Sequence, residues 1–217
     1  MGYNRVMKQA KNTVSRNTFL ISYKLFFALL GFSSIIIEMA VTMERGTFKA
    51  ENFFSYFTIE TNILVVIMLL MSAVAIAAGK NGKLDLFRSA TTVYILVVGI
   101  GFSALLSGLE GVKLTAVPWD NVVLHYIIPV AVFADFMTDR PRRKLPFKKA
   151  LLWLLFPIVY AIYALVRGGL TGWYPYPFLN PDVSGARSVV TTIVGLFALG
   201  FALVWGVGKL SGSQKAR

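Results

Sequence analysis

Six long apolar runs limit how this chain can fold more than any other feature of its sequence. They lie at 19–42, 54–78, 87–109, 119–137, 150–168 and 188–210. Each is long enough for a helix that crosses the hydrocarbon core of a bilayer, which takes about 20 residues. Because 56% of the residues are apolar and only 15% are charged, the composition also fits a membrane protein. The short connections predict an all-α fold, with one bundle of six transmembrane helices that forms a single domain over residues 1–217.

The basic residues predict which connections face the cytoplasm, because cytoplasmic loops of membrane proteins are enriched in lysine and arginine. Sixteen of them fall in the N-terminal arm, the second loop, the fourth loop and the tail: Arg5, Lys8, Lys11, Arg16, Lys80, Lys83, Arg88, Arg140, Arg142, Arg143, Lys144, Lys148, Lys149, Lys209, Lys215 and Arg217. The other connections hold only Arg45, Lys49, Lys113 and Arg187. We therefore expect a protein of the cell membrane with both termini in the cytoplasm.

Several classes of function are excluded by the residues that the chain lacks. The net charge of +12 is explained by the basic residues of the cytoplasmic connections. The basic loop at 140–149 is explained by its orientation and by contact with anionic lipid headgroups, so no nucleic acid partner is expected. One histidine and no cysteine cannot form a haem pair, a zinc site of the usual kind or a di-iron cluster. There is also no phosphate-binding glycine motif. The sequence predicts no metal and no cofactor, and leaves the oligomeric state open.

Two polar stretches interrupt the apolar runs, YFTIETN at 56–62 and DNVVLHYIIP at 120–129. Polar groups at membrane depth are costly and commonly line a functional cavity. In the predicted topology, five spans bring such groups to the outer half: Glu38, Ser55, Thr58, Thr61, Asn62, Ser107, Glu110, Asn121, His125, Tyr126, Tyr163 and Arg167. The inner half shows only Asp135 and Asp139, which we expect to pair with Arg140 and Arg143. This asymmetry favours a blind outer pocket over a pore.

Helical spacing predicts which of these groups converge. Ser55, Thr58 and Asn62 are spaced to share one face of the second span. On the fourth span, Asn121 and His125 form a stripe with Pro129, which lacks an N–H and should distort the helix beside the histidine. The stiff loop GWYPYPF at 172–178 could lie over the pocket as a lid through Trp173, Tyr174 and Tyr176, or form an interfacial aromatic belt. Each hydroxyl could also simply bond back to its own helix.

A hydroxyl, an imidazole and amides in an apolar cavity provide what acyl transfer needs: a nucleophile, a base and oxyanion donors. The amides considered for the oxyanion are Asn62 and Asn121. The motifs YFTIETN, LHYIIP and TGWYPYPFLN together resemble bacterial relatives of the androgen-induced gene family, which includes the androgen-dependent TFPI-regulating protein.

The resemblance covers the whole chain and implies six helices and a threonine hydrolase of fatty acid esters of hydroxy fatty acids. It implies that Thr58 is the nucleophile and His125 the base, in a bacterial inner membrane. Thr61 stays open as a second candidate nucleophile, and the substrate stays open.

Three functions follow as hypotheses. The first is an intramembrane threonine-type hydrolase of amphipathic lipid esters. The second is a lipid-binding or lipid-sensing protein without catalysis. The third is a proton-linked transporter that uses Glu38, Glu60 or His125, against which the polar-poor inner half argues. The expected substrate-binding residues are Ser55, Thr61, Asn62, Asn121, Tyr126, Glu38, Ser107, Tyr163, Arg167, Trp173, Tyr174 and Tyr176.

Overall fold

The regular structure of the described residues is helical throughout. The computed structural model describes residues 2–80, 82–108, 115–142 and 144–212, so Glu110, Lys113, Arg143, Lys215 and Arg217 lie outside the described residues. Six helices are long and apolar enough to cross a membrane, which confirms the predicted fold class. They are α1 (Gly2–Glu44), α2 (Phe57–Ala77), α3 (Asp85–Leu105), α4 (Pro118–Thr138), α5 (Phe147–Thr171) and α6 (Ala186–Leu210).

Helix α3 lies at the centre of the bundle, where it contacts α2, α4 and α6, while α1 packs along α2. The first two turns of α5, Phe147–Leu154, provide its main contact with α6. We call the end of the bundle that holds the described chain termini the terminal end. The distal end holds the connections at 45–56 and 172–185. This arrangement leaves room between α3, α5 and α6 toward the distal end.

The second span begins later than its apolar run predicts. Ala50–Phe53 forms a separate short helix, and Tyr56 has extended backbone (φ −78°, ψ 123°) immediately before α2. Ser55 therefore lies in the turn that precedes the helix. The prediction that Ser55 shares a helical face with Thr58 and Asn62 is wrong for this reason.

Helix α4 is irregular beside the histidine, as Pro129 predicts. A π-helical turn, Val123–Ile127, separates the segments Pro118–Val122 and Ile128–Thr138. Such turns shift backbone pairing by one residue and widen the helix locally. Gly99 of α3 packs against this turn, since a Cβ at Gly99 would lie 3.0 Å from the Cβ of Pro129 and 3.2 Å from the carbonyl oxygen of His125.

The terminal end contains an ionic network in which Asp135 and Asp139 pair with other residues, so their expected pairing with Arg140 is wrong. The expected pairing with Arg143 lies outside the described residues. The network joins α1, α3 and α4 through Arg16, Lys24, Arg88, Asp135 and Asp139. Lys24 is fully buried and bonds to Asp135. Arg88 lies 3.2 Å from both Asp135 and Asp139. Asp85, 3.7 Å from Arg88, adds a third carboxylate, so three basic and three acidic side chains from three helices compensate one another, as buried charges require.

Candidate active site

Thr58 and His125 meet at the distal end of the bundle. Thr58 lies in the first turn of α2, and His125 lies in the π-helical turn of α4. The hydroxyl oxygen Oγ1 of Thr58 is 3.2 Å from Nε2 of His125, and the two residues are only 7% and 4% exposed. The contact predicted between these two side chains is confirmed. Their roles in catalysis remain a prediction.

The second nitrogen of His125 determines the tautomer of the ring. Nδ1 lies 3.0 Å from the backbone carbonyl oxygen of Asn121, and a carbonyl can only accept a hydrogen bond. Nδ1 therefore carries the proton, and in the neutral ring Nε2 is an acceptor that faces Thr58. Phe102 stacks on the imidazole with ring centroids 4.0 Å apart. No sequence pattern singled out Phe102, because it is one of many aromatic residues in an apolar run.

Two tyrosine hydroxyls bind the start of α2, where the first N–H groups of a helix have no helical partner. The N–H of Phe57 donates to the hydroxyl of Tyr160, and that of Thr58 donates to the hydroxyl of Tyr176, both at 3.2 Å. The hydroxyl of Tyr160 in turn donates to the carbonyl of Ser55 at 3.0 Å. Tyrosines from α5 and the 172–185 connection thus fix the turn that carries Thr58.

Tyr176 also contacts the side chain of Thr58, with 3.3 Å between the two hydroxyl oxygens. Because the hydroxyl of Thr58 donates to His125, the proton in this second contact comes from Tyr176. Burial raises the pKa of Tyr176 to about 12, so the phenol keeps its proton at neutral pH. Sequence reasoning placed Tyr176 in a lid but missed this hydrogen bond, which depends on how a distant loop folds back.

Two cavities open beside the Thr58–His125 contact. The larger encloses about 890 Å³ of empty space, counted to its open mouth, and is lined by apolar side chains of α3, α5 and α6, including Val97, Leu105, Pro157, Leu196 and Phe197. The smaller encloses about 410 Å³ and is lined partly by Glu38, Phe53, Tyr56 and Thr115. Thr58, His125 and Tyr176 line both.

Of the two predicted oxyanion amides, Asn62 is engaged elsewhere in the arrangement described, and Asn121 lies outside the lining described for both cavities. The side-chain nitrogen of Asn62 donates to the carbonyls of Thr58 at 2.8 Å and Leu124 at 3.4 Å, so it ties α2 to α4. Asn121 contributes its backbone carbonyl to His125, and its side-chain oxygen has no partner among the described residues. Thr61 is fully buried, lines neither cavity and has an unpartnered hydroxyl in the described part of the chain.

Seven other predicted binding residues lie outside the lining described for the two cavities: Ser55, Ser107, Tyr126, Tyr163, Arg167, Trp173 and Tyr174. The hydroxyls of Ser55 and Tyr163 are 2.6 Å apart. Arg167 donates to Asn52 at 2.7 Å and lies over the ring of Trp173. The hydroxyl of Tyr126 donates to Ser107 at 3.3 Å. These contacts join the distal segments to one another and do not reach the Thr58–His125 pair.

The loop predicted as a lid is divided between two roles. Tyr176 and Phe178 stack with centroids 5.0 Å apart and line the large cavity. Tyr174 instead packs on Gly168 of α5, where there is no room for a Cβ. Trp173 packs edge-on against Tyr56. Only the second half of the loop therefore lines the cavity.

Comparisons with protein-family models, with curated proteins and with solved structures found no match for this chain. Within the described residues, no group of three or more histidine, aspartate and glutamate side chains could hold a metal ion.

Proposed function

We propose that this chain is a threonine-type hydrolase of amphipathic lipid esters that works within the membrane. The observation that carries the proposal is the 3.2 Å contact between Thr58 Oγ1 and His125 Nε2. The other ring nitrogen, Nδ1, donates to the carbonyl of Asn121 and so keeps Nε2 as the acceptor. A hydroxyl hydrogen-bonded to an oriented base is the arrangement that nucleophilic catalysis needs. The resemblance to the androgen-induced gene family supports the same two residues.

In the proposed reaction, Thr58 Oγ1 attacks the ester carbonyl as its proton passes to Nε2 of His125. The tetrahedral intermediate collapses, the bond to the leaving oxygen breaks, and His125 returns the proton to that oxygen. An acyl-threonine and a free alcohol result. Water then attacks the acyl-threonine, with His125 again accepting the proton, and releases a fatty acid and the original hydroxyl.

Tyr176 is the group best placed to stabilise the oxyanion. Its oxygen already accepts from the N–H of Thr58, so its own proton can move from the threonine oxygen to the developing charge. The start of α2 contributes as well, because the N-terminal end of a helix dipole favours negative charge. In this mechanism the phenol takes the part that sequence reasoning assigned to Asn62 and Asn121.

The test is hydrolysis of a panel of lipid esters by the purified protein in nonionic micelles, followed as fatty acid release. The wild type should hydrolyse at least one ester, and Thr58→Ala should reduce the rate by about a thousandfold or more. Thr61→Ala is the matched control on the same helix and should keep most of the activity. Full activity in Thr58→Ala would refute the proposed nucleophile.

A lipid-binding protein without catalysis is the second candidate, and the apolar lining of the large cavity favours it. Such a protein would bind esters without releasing fatty acid. Its affinity for the ester would also be unchanged by Thr58→Ala. The same panel distinguishes the two functions, since a binder retains intact ester.

Transport is less well supported, although the terminal end does contain charges. Between Asn62 and Ser72, helix α2 rises about 15 Å through Val65, Met68 and Leu69, which are buried and apolar. This layer separates the ionic network from the Thr58–His125 pair. A proton path along the bundle would have to cross it.

A further inference from the structure

The Thr58–His125 pair lies where the two cavities meet, because Thr58, His125 and Tyr176 line both of them. An ester whose carbonyl carbon lies at Thr58 can therefore extend one arm into each cavity. One arm is the acyl chain and the other is the alcohol portion. The character of each cavity determines which arm it accepts.

The large cavity suits the acyl chain. Its lining on α3 runs from Leu105 to Val93, a distance of about 18 Å along the helix axis. No charged side chain is found among its described lining residues. A long hydrocarbon chain could lie there without exposing its surface to polar groups.

The small cavity has less than half the empty volume, about 410 Å³ against 890 Å³, and it contains an acid. The carboxylate of Glu38 accepts the backbone N–H groups of Ala116 at 2.7 Å and Val117 at 3.2 Å, which fixes it in the wall. None of the described lining residues is lysine or arginine. The nearby guanidinium of Arg45 is exposed and donates to the carbonyl of Ala116.

A second acid lies near Glu38, outside the described lining of this cavity. Asp120 is fully buried, and neither of its carboxyl oxygens has a partner among the described residues. It interacts electrostatically with Glu38. A substrate carboxylate in the small cavity would meet like charge without a described counterion, which is strongly unfavourable at low dielectric.

We propose that the site selects long-chain acyl esters whose alcohol portion is small and carries no negative charge. The acyl chain occupies the large cavity, and the alcohol portion lies beside Glu38. This inference rests on the proposed hydrolase function and narrows its substrate. It also separates this chain from the substrates that the family resemblance implies, since the alcohol portion of a fatty acid ester of a hydroxy fatty acid is itself an acid.

The experiment compares two esters that differ only in charge: the palmitoyl ester of glycolate and the palmitoyl ester of glycolamide. Both are presented in nonionic micelles, and each enzymatic kcat/KM is divided by the rate of imidazole-catalysed hydrolysis of the same ester. The wild type should favour the neutral ester by about tenfold or more. Equal normalised rates, or a preference for the anionic ester, would overturn the inference while the hydrolase stands. No hydrolysis of any ester would instead overturn the proposed function.

Glu38→Gln tests the physical cause of this preference. The glutamine keeps the shape and one hydrogen bond acceptor but removes the charge, so the preference for the neutral ester should fall several-fold. Glu44→Gln is the matched control, because Glu44 lies on the same helix but is exposed. An unchanged preference in folded Glu38→Gln would contradict the role given to Glu38. The wild-type comparison tests the inference even if this variant does not fold.

The assignment of the acyl chain can be tested separately with Ala161, which lines the large cavity. Ala161→Phe should reduce the rate with a palmitoyl ester much more than with the octanoyl ester of the same alcohol. Ile162→Phe changes the neighbouring side chain, which is 58% exposed, and should leave the ratio of the two rates unchanged. A ratio unaffected by Ala161→Phe would place the acyl chain elsewhere and overturn the assignment.

Discussion

At the scale of single residues, the site depends on where a few protons lie. The carbonyl of Asn121 holds a proton on Nδ1 of His125, which leaves Nε2 as the acceptor for Thr58. The N–H of Thr58 donates a hydrogen bond to the hydroxyl oxygen of Tyr176. The phenol proton of Tyr176 therefore points to another acceptor and can be donated. No carboxylate is needed in this chain of hydrogen bonds. A backbone carbonyl takes the place that an acid holds in many catalytic triads.

His125→Ala should reduce ester hydrolysis about as strongly as Thr58→Ala, and the double variant should be no slower than either single variant. The reason is that in the proposed mechanism the nucleophile and the base act as one unit, so their removal is strongly non-additive. The measurement is kcat/KM for the best ester of the panel. Losses that multiply in the double variant would mean that the two side chains act independently.

Tyr176→Phe should lower kcat by on the order of a hundredfold, the typical cost of losing one oxyanion donor. The phenylalanine preserves the stacking on Phe178 and removes only the hydroxyl. Tyr174→Phe, on the same loop, is the control and should keep kcat near the wild-type value because Tyr174 lies outside the described cavity lining. Equal kcat values for the two variants would exclude Tyr176 as the donor.

At the scale of elements, small residues set how closely segments approach. Gly99 allows α3 to lie against the π-helical turn of α4, and Gly168 allows the ring of Tyr174 to lie on α5. The second contact anchors the loop two residues before Tyr176. The position of the phenol at Thr58 therefore depends on a glycine in a neighbouring helix.

Gly168→Ala should lower the thermal unfolding midpoint and the hydrolysis rate together. Its Cβ would overlap the ring of Tyr174, and overpacking of this kind costs about 1–3 kcal/mol. Gly169→Ala is the matched control, since a Cβ there meets no heavy atom within 4 Å, and alanine favours helix. Circular dichroism in detergent measures both midpoints. Equal midpoints would show that the Tyr174 contact does not anchor the loop.

At the scale of the whole molecule, apolar length and composition predicted the helical bundle, because each span must satisfy its own backbone hydrogen bonds in lipid. A meeting of the polar groups at 56–62 with His125 was also predictable, since both stretches interrupt apolar runs, whereas the choice of Thr58 over Thr61 rested on the family resemblance. The ionic network was not predictable, because Lys24, Arg88 and Asp135 come from three separate helices. Nor was Phe102, whose residue type is common in membrane spans. Contacts between distant segments depend on tertiary packing and produce no local pattern in the sequence.

The orientation of the bundle can be measured directly because the chain contains no cysteine. A cysteine at the exposed Val183 should react with an impermeant thiol reagent in intact cells, whereas one at the exposed Pro146 should react only after permeabilisation. The uneven distribution of basic residues is the physical reason. The reverse labelling pattern would place the termini on the outside.

The identity of the nucleophile is the central claim, and covalent labelling tests it most directly. Purified protein would be treated with a fluorophosphonate probe that reacts with activated hydroxyls, and the modified residue located by mass spectrometry. We predict an adduct on Thr58 that is lost in His125→Ala and retained in Thr61→Ala. An adduct on Thr61 or on any other residue, or labelling of Thr58 that persists without His125, would contradict the account.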